Sequence, residues 1–381
     1  MTPKKFEKVL TYKSGQFVFS SEHDQKFLAP LMLESSILYQ TINDLPILPG
    51  IAAQIEKELI KKSIFSTAAL EGNPLTEENV AILLDNPPCD TTERSKREIA
   101  NLVDAYDIIK KISPTLSDSQ FILTEELIKS IHKSITTGID YNDNIPGVFR
   151  NHIVNVGDQS HGGIYTPPKI AADIKMLIET FLTWFNSFKT EDITSFTKAA
   201  LAHYHLSLIH PFGDGNGRTA RIVEAITLKT SGIKYIPIML SNYYYKNMDD
   251  YYWAFSKCIK NKNHDITPFI EFVLIGVIQS LKDIKSEITF NIRILTLKDY
   301  YKFLRKEKHL TKRQYDFMSI LIQNTNFKFT QKDLTESPGV NLLFRDISPS
   351  TIRRDIIKLS ELRLIELIEE KYYTINLNAL D

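Results

Sequence analysis

A twelve-residue run, His210-Pro211-Phe212-Gly213-Asp214-Gly215-Asn216-Gly217-Arg218-Thr219-Ala220-Arg221, most constrains what this chain can fold into. Ile193 to Ile209, just before it, has no Gly or Pro and carries Ala199, Ala200, Leu201, Ala202, Leu206 and Leu208, so it reads as a helix. Pro211 ends that helix, because the residue before a proline is driven out of the helical region. Thr219 to Thr230 reads as a second helix, with Ile222, Val223 and Ile226 on its apolar side and a stop at Ser231-Gly232. The run is therefore the loop of a helix–loop–helix corner, with His210 at its lip.

The loop's residue types suit one kind of chemistry. Glycines opening a helix let backbone N–H groups converge on an anion, aided by the helix dipole. Asp214 is an oxygen ligand of the kind that holds Mg²⁺ against phosphates. Arg218 and Arg221, three apart, project from one helical face and can grip phosphate oxygens. His210 titrates near neutrality, which suits taking a proton from an attacking hydroxyl. The order differs from a P-loop, since no lysine follows the glycines. A capped, glycine-rich turn with no ligand is the alternative for any three of these residues, though not for the full set. His203 and His205 flank Tyr204 on the first helix with no Cys or paired acid nearby, so packing or N–H bonding is expected of them rather than a metal.

The run resembles the signature of Fic-domain proteins, H-P-F-x-[D/E]-G-N-G-R-x-x-R, at every defined position. The resemblance implies a mostly helical core that transfers AMP from ATP to a Ser, Thr or Tyr hydroxyl of a target protein. It implies His210 as the base, Asp214 on Mg²⁺, and Gly215, Asn216 and Gly217 on the phosphates. Thr219 and Ala220 fall within the same nucleotide-contacting stretch, and Arg218 and Arg221 would meet the terminal phosphates. Relatives that phosphorylate instead carry a lysine where this chain has Gly217, so AMP transfer is implied. Pro146 to Arg150, Val154 to Gly157 and Tyr165 to Pro168 resemble the family's β-hairpin flap over the target; an ordinary surface hairpin is the alternative. Asn242 to Tyr252 resembles the segment that closes over the base, with Asn247 chosen as the contact.

Thr67-Ala68-Ala69-Leu70-Glu71-Gly72 resembles the family's inhibitory signature, [S/T]-x-x-x-E-[G/N]. Ile51 to Leu70 patterns as a helix ended by Gly72-Asn73-Pro74. Thr67 and Glu71 share a face, and the dipole disfavours an acid at that end, so Glu71 wants a cation or open solvent. The resemblance supplies the cation, Arg221. Paired with Glu71, that arginine would not hold the terminal phosphate properly, which implies low basal activity. A solvated helix-end acid is the alternative. Removal of AMP from modified proteins, with Glu71 orienting a water, is a second enzyme reading.

The 381 residues are 43% hydrophobic and 24% charged with zero formal net charge, a globular balance that gives no global pull toward nucleic acid or anionic membrane. Two cysteines, Cys89 and Cys258, offer neither a zinc cluster nor a disulfide framework. No signal-like or membrane-spanning apolar run is seen, so a cytoplasmic protein is expected.

The fold class expected is mainly α, in three parts. Residues 1–105 form an N-terminal helical region with the inhibitory helix, broken at Pro46 to Pro49 and at Pro87-Pro88. Helices are expected over Lys96 to Ile112 and Thr124 to Thr136, and residues 106–300 form the Fic core, whose last part is a helix over Ile266 to Ile288. Residues 305–381 change character: helices over Thr311 to Gln323, from Phe329, and over Ser348 to Leu362, then strands over Leu364 to Ile368 and Tyr372 to Leu377. That order resembles a winged helix-turn-helix, with Arg353 and Arg354 on its recognition helix. Its small net charge and acidic turn, Glu369-Glu370-Lys371, leave a nucleotide-sensing DNA-binding regulator and a docking or homodimer-contact module as alternatives.

Overall fold

The computed structural model describes residues 4–86, 93–112, 121–140, 143–189 and 191–380; Pro87, Pro88 and Cys89 lie outside them. In chain order the elements are β1 (Phe6–Leu10), β2 (Gln16–Ser20), α1 (Gln25–Asn43), α2 (Pro49–Ala69), α3 (Glu77–Asp85), α4 (Arg94–Lys111) and α5 (Glu125–Thr136). Then come α6 (Ala171–Asn186), α7 (Ser195–Ile209), α8 (Asn216–Thr230), α9 (Leu240–Lys246), α10 (Met248–Lys260) and α11 (Thr267–Lys306). The last are α12 (Lys312–Leu321), α13 (Asp333–Glu336), α14 (Asn341–Phe344), α15 (Pro349–Glu361), β3 (Ile365–Ile368) and β4 (Tyr372–Ile375). The fold is mainly α, as the patterning implies. Two compact units divide within α11, residues 1–284 and 285–381.

In the first unit α7 and α8 form the centre. Of α7, Phe196, Thr197, Ala199 through Leu206 and Ile209 are buried, and α8 is buried on nearly every side. A helix covered all round belongs to a core. α6 packs on α7; α5 and α4 pack on α8; α2 packs on α4 and α9. The helix starts are set by side-chain caps: Thr124 accepts from Leu127 N–H to open α5, and Thr194 accepts from Thr197 N–H to open α7.

The N-terminal part is not wholly helical. β1 pairs antiparallel with β2, Phe6 opposite Ser20, around a turn at Gly15. The hairpin buries Phe19 against Phe181, Trp184 and His205. Its alternation is only five residues long per strand, too short to announce itself beside the helices that follow.

In the second unit Leu297, Tyr301 and Leu304 of α11 join Phe317, Phe329, Phe344, Ile352, Leu359 and Ile375 in one core. The order is helix, two short helices, helix and hairpin, with β3 antiparallel to β4 and Phe329 bridging Tyr373. Among the described residues no helix is long and apolar enough to cross a membrane.

Candidate functional site

His210 closes α7 in the left-handed region, φ 48 and ψ 60, while its N–H still donates to Leu206 O at 2.9 Å. A β-carbon there costs about 1–2 kcal/mol, so the surroundings must enforce it. Arg150 does so: its N–H donates to Pro211 O at 3.0 Å and its Nε to His210 O at 2.8 Å, from a side chain that is buried. The imidazole Nδ1 lies 3.3 Å from Ser207 O. A carbonyl only accepts, so the proton sits on Nδ1 and Nε2 is left as a base. Burial, and then the charge of Arg150, pull the His210 pKa down to about 4. The ring is neutral at pH 7.

The loop after His210 is gripped from below. His132 Nδ1 accepts from Gly147 N–H at 2.9 Å, so its Nε2 carries the proton donated to Asp214 O at 2.9 Å. The same ring stacks on Phe212 at 3.7 Å. Asn144 Oδ1 accepts from Asp214 N–H at 3.0 Å. Asn216 folds its amide back on Phe212, accepting from its N–H and donating to its carbonyl, each at 2.9 Å. Gly215 caps α8 with φ 74, and a Cβ there would press to 3.0 Å from Thr136 Cγ2. The first helical bond of α8 is Thr219 N–H to Gly215 O at 2.9 Å. The amides of Asn216 and Gly217 lie in the first turn at its positive end, ahead of the first helical bond.

The arginines are both engaged. Arg221 Nη2 donates to Glu71 Oε1 at 2.6 Å and to Thr67 O at 3.3 Å. Arg218 lies 3.4 Å from Asp214 Oδ1 and 4.0 Å from Glu98 Oε1. Burial pushes the Glu71 carboxyl up, but the charges of Arg221 and then Arg218 more than reverse it, so it titrates below the usual carboxylate range. Burial also opposes the charge on Arg221, and Glu71 outweighs that, raising it. Gly217 is what makes room: a Cβ at that position would collide with Glu71 Oε1 and come within 3.0 Å of Arg221 Nη1. Gly72, at φ 82, closes the end of α2 just after Glu71.

These groups border one cleft of about 620 Å³, lined by Glu71, His210, Gly217 and Arg221 at one end. Asn155 to Asp158 and His161 to Tyr165 of the flap, Leu70, Ser207 and Leu208, and Tyr251, Tyr252, Phe255, Ser256, Ile259 and Lys260 of α10 line the remainder. That size suits a nucleotide. The flap is a loop closed by one antiparallel bridge, Val156 with Tyr165. Its tip is pinned to α10 by His161, 2.9 Å from Asp158 and 3.1 Å from Asp249, against the Tyr252 ring.

Residues 122–228 match the model of the Fic/DOC family. The chain carries a Fic domain. Relatives of the domain include proteins named protein adenylyltransferase Fic. Those of Drosophila mojavensis and Aedes aegypti are each 28% identical over 218 residues, 57% of this chain and 40% of theirs. The chain thus matches less than half the length of these relatives. Two solved structures share the fold. A Fic family protein from Desulfovibrio desulfuricans G20 has a TM-score of 0.56 at 19% identity, covering 91% of this chain and 95% of that one. Fic-1 (residues 134–508) from C. elegans has a TM-score of 0.55 at 21% identity, covering 68% and 72%. Glu71 lies outside the matched segment of the Fic domain, and the fold still carries it to Arg221.

Of the residues singled out in the sequence, the structure brings His210, Gly217, Arg221 and Glu71 to the cleft, with Thr67 behind them. Thr219 and Ala220 face inward: Thr219 Oγ1 donates to Gly215 O and Ala220 is wholly buried, so neither side chain reaches the cleft of the Fic domain. Asn247 joins α9 to α10, its Nδ2 donating to Tyr243 O at 2.9 Å, and does not line the cleft; Tyr252 and Phe255 do. His203 and His205 are hydrogen-bonded core residues, as expected. The sequence reading gave no site role to Arg150, His132, Asn144, His161 or Tyr251. Arg150 ended a motif already in view, and a buried arginine beside a bend was the available signal.

Among the described residues no group of three His, Cys, Asp or Glu is placed to hold a metal. Mg²⁺ on a polyphosphate asks for less, one or two carboxylates with the phosphates and water completing the shell. Asp214 is a carboxylate of the suitable type, its side chain about one-third exposed and its Oδ1 accepting from Gly215 N–H at 2.6 Å.

Proposed function

We propose that the chain is a protein adenylyltransferase held inactive by its own Glu71. The observation that carries this reading is the 2.6 Å Glu71–Arg221 pair at the end of a cleft that also presents the unprotonated Nε2 of His210. In the reaction, His210 takes the proton of a target Ser, Thr or Tyr hydroxyl as that oxygen bonds to the α-phosphorus of ATP. The bond from the α-phosphorus to the bridging oxygen breaks, and pyrophosphate leaves with the electron pair. The first-turn amides of Asn216 and Gly217 and the charge of Arg221 stabilise the phosphate oxygens. Asp214 would hold Mg²⁺, which when bound there neutralises phosphate charge. While Glu71 occupies Arg221, the terminal phosphates lose that anchor and the α-phosphorus is misaligned.

Purified chain and its Glu71→Gly variant, given α- or γ-labelled ATP with Mg²⁺, test this. The variant should put only the α label on protein, with a gain on the order of 10²-fold, the scale on which misplacement suppresses rate. No gain, or transfer of the γ label, overturns the proposal. AMP removal is the second reading, favoured by one observation: the Glu71 carboxyl borders the same cleft as His210. Loss of AMP from a modified protein that needs Glu71 would support it.

The setting is proposed to be cytoplasmic and the working form a homodimer, which sedimentation checks. For the second unit we propose a winged-helix role in which Ser350, Arg353 and Arg354, exposed on α15, face DNA. A mobility shift lost on Arg353→Ala supports that, and no shift removes it.

A further inference from the structure

Glu71 sits in a turn, so whatever holds that turn decides how firmly the acid is set against Arg221. α2 ends at Ala69, and the chain turns away through Gly72, at φ 82, with Asn73 N–H donating to Ala68 O at 3.1 Å. Asn73 Oδ1 accepts from Leu75 N–H at 3.1 Å, which shapes the turn locally. Its Nδ2 reaches another element. It donates to Glu98 Oε2 at 2.8 Å and to Ser95 O at 3.0 Å, both on α4. Asn73 and Glu98 are 7% and 8% exposed, so water is poorly placed to substitute for these bonds. A carboxylate as acceptor makes the first of them stronger than a bond between neutral groups.

α4 also supports the arginine helix, for it packs on both α2 and α8. Glu98 Oε1 accepts from Arg94 Nε at 3.2 Å and lies 4.0 Å from Arg218 Nη1. One carboxylate thus grips the turn that carries Glu71 while facing the helix that bears Arg221. Further back along α2, Tyr106 of α4 hydrogen-bonds to Ser63 and, at 3.3 Å, to Thr67. Glu71 lies between these two ties. Its side chain is 26% exposed and that of Arg221 is 3% exposed, so Glu71 is the partner free to leave. Its reach to Arg221 depends on where the turn holds its backbone.

We infer that Asn73 and Glu98 form the anchor that sets the strength of the lock, as positioning residues that keep Glu71 against Arg221. The inference rests on the adenylyltransferase reading for what the lock restrains.

The test is Asn73→Asp, made in the full-length chain with and without Glu71→Gly. The change keeps the shape and the acceptor for Leu75 N–H, but it puts a carboxylate where Glu98 needs a donor. Loss of one hydrogen bond to a charged group should raise the open fraction, and with it basal AMP transfer, about tenfold, short of the gain from Glu71→Gly. With Glu71→Gly already present the same change should leave transfer within about twofold, because no lock remains to loosen. A folding defect would lower transfer in both backgrounds. That result, or no gain while Glu71 is present, overturns the inference. Asn73→Ala removes the donor without adding charge and answers if Asn73→Asp folds poorly. Affinities for ATP and AMP are measured on the same proteins. Their ratio should shift toward ATP on Asn73→Asp only while Glu71 is present, since a loosened Glu71 leaves Arg221 to the terminal phosphates. Should the Glu71→Gly chain transfer no AMP, the enzyme reading falls while this ratio still decides the anchor: an unchanged ratio removes it.

Discussion

In the first unit the buried polar groups run from Glu224 through His203 to Tyr251, which lines the same cleft as the Arg221–Glu71 pair. In the second, buried Asp355 is closed by Arg313 Nε and Nη2, at 2.8 and 2.7 Å, and by Gln314 Nε2 at 2.9 Å. Both arrangements satisfy a carboxylate out of water. They differ in where they end. Asp355 ties α15 to α12 and leaves no group facing a cavity, so it reads as architecture. The first ends at a cleft whose wall also carries the Arg221 guanidinium and the His210 imidazole, which is where chemistry can use them.

The largest effect expected is at that open end. His210→Ala should lower AMP transfer by roughly 10²–10⁴-fold, the usual contribution of a positioned base. ATP binding in the Glu71→Gly background should be retained, since the imidazole meets the reacting hydroxyl and not the phosphate cradle. Transfer that survives the change would mean that the imidazole at the cleft is no more chemical than Asp355.

How much of this was legible follows from sequence distance. The run from His210 to Arg221 holds its chemistry in twelve contiguous residues, and the turn and cap rules that place it are local. The helix start at Thr124 was readable for the same reason. The Glu71–Arg221 pair spans 150 residues and was reached only through a resemblance to known proteins. His132 gripping Asp214, Arg150 bending His210 and His203 joined to Glu224 have no such aid, because periodicity says that a residue is inward but not what it meets there. Asn247 shows the same limit from the other side. Its segment was placed next to the base, yet which face of α10 lines the cleft depends on packing against the flap, and Tyr252 and Phe255 take that face. The left-handed backbone at His210 could be foreseen only as a break before Pro211.

The second effect separates the units by pH. Burial, the main cause in both, lowers the pKa values of His132 and His205 to about 4. The unfolded chain takes up these protons near pH 6.5 and the folded chain does not until near 4. Their stabilisation is therefore complete above pH 6.5 and is lost as pH falls from 6.5 to 4. Each should cost about 2 kcal/mol by pH 5. Both sit in the first unit, so hydrogen exchange at pH 5 should show α5 and α7 losing protection ahead of α12 and α15. Equal loss in the two units would contradict this.

The smallest effect tests the closed arrangement. Asp355→Ala leaves Arg313 and Gln314 facing a place where nothing accepts their hydrogens. Arg313 is a quarter exposed and recovers some solvent, whereas Gln314 is nearly buried and does not. Gln314 also accepts from Thr311 N–H at 2.8 Å in the capping box of α12, so its side chain cannot swing away without uncapping that helix. The expected cost is about 2 kcal/mol, below that of a fully buried pair because one partner reaches water. It should appear as faster exchange in α12 and α15, with AMP transfer by the Glu71→Gly chain unchanged. If transfer fell as well, Asp355 would have an influence beyond its own unit, and a carboxylate closed on all sides could no longer be taken as a mark of architecture alone.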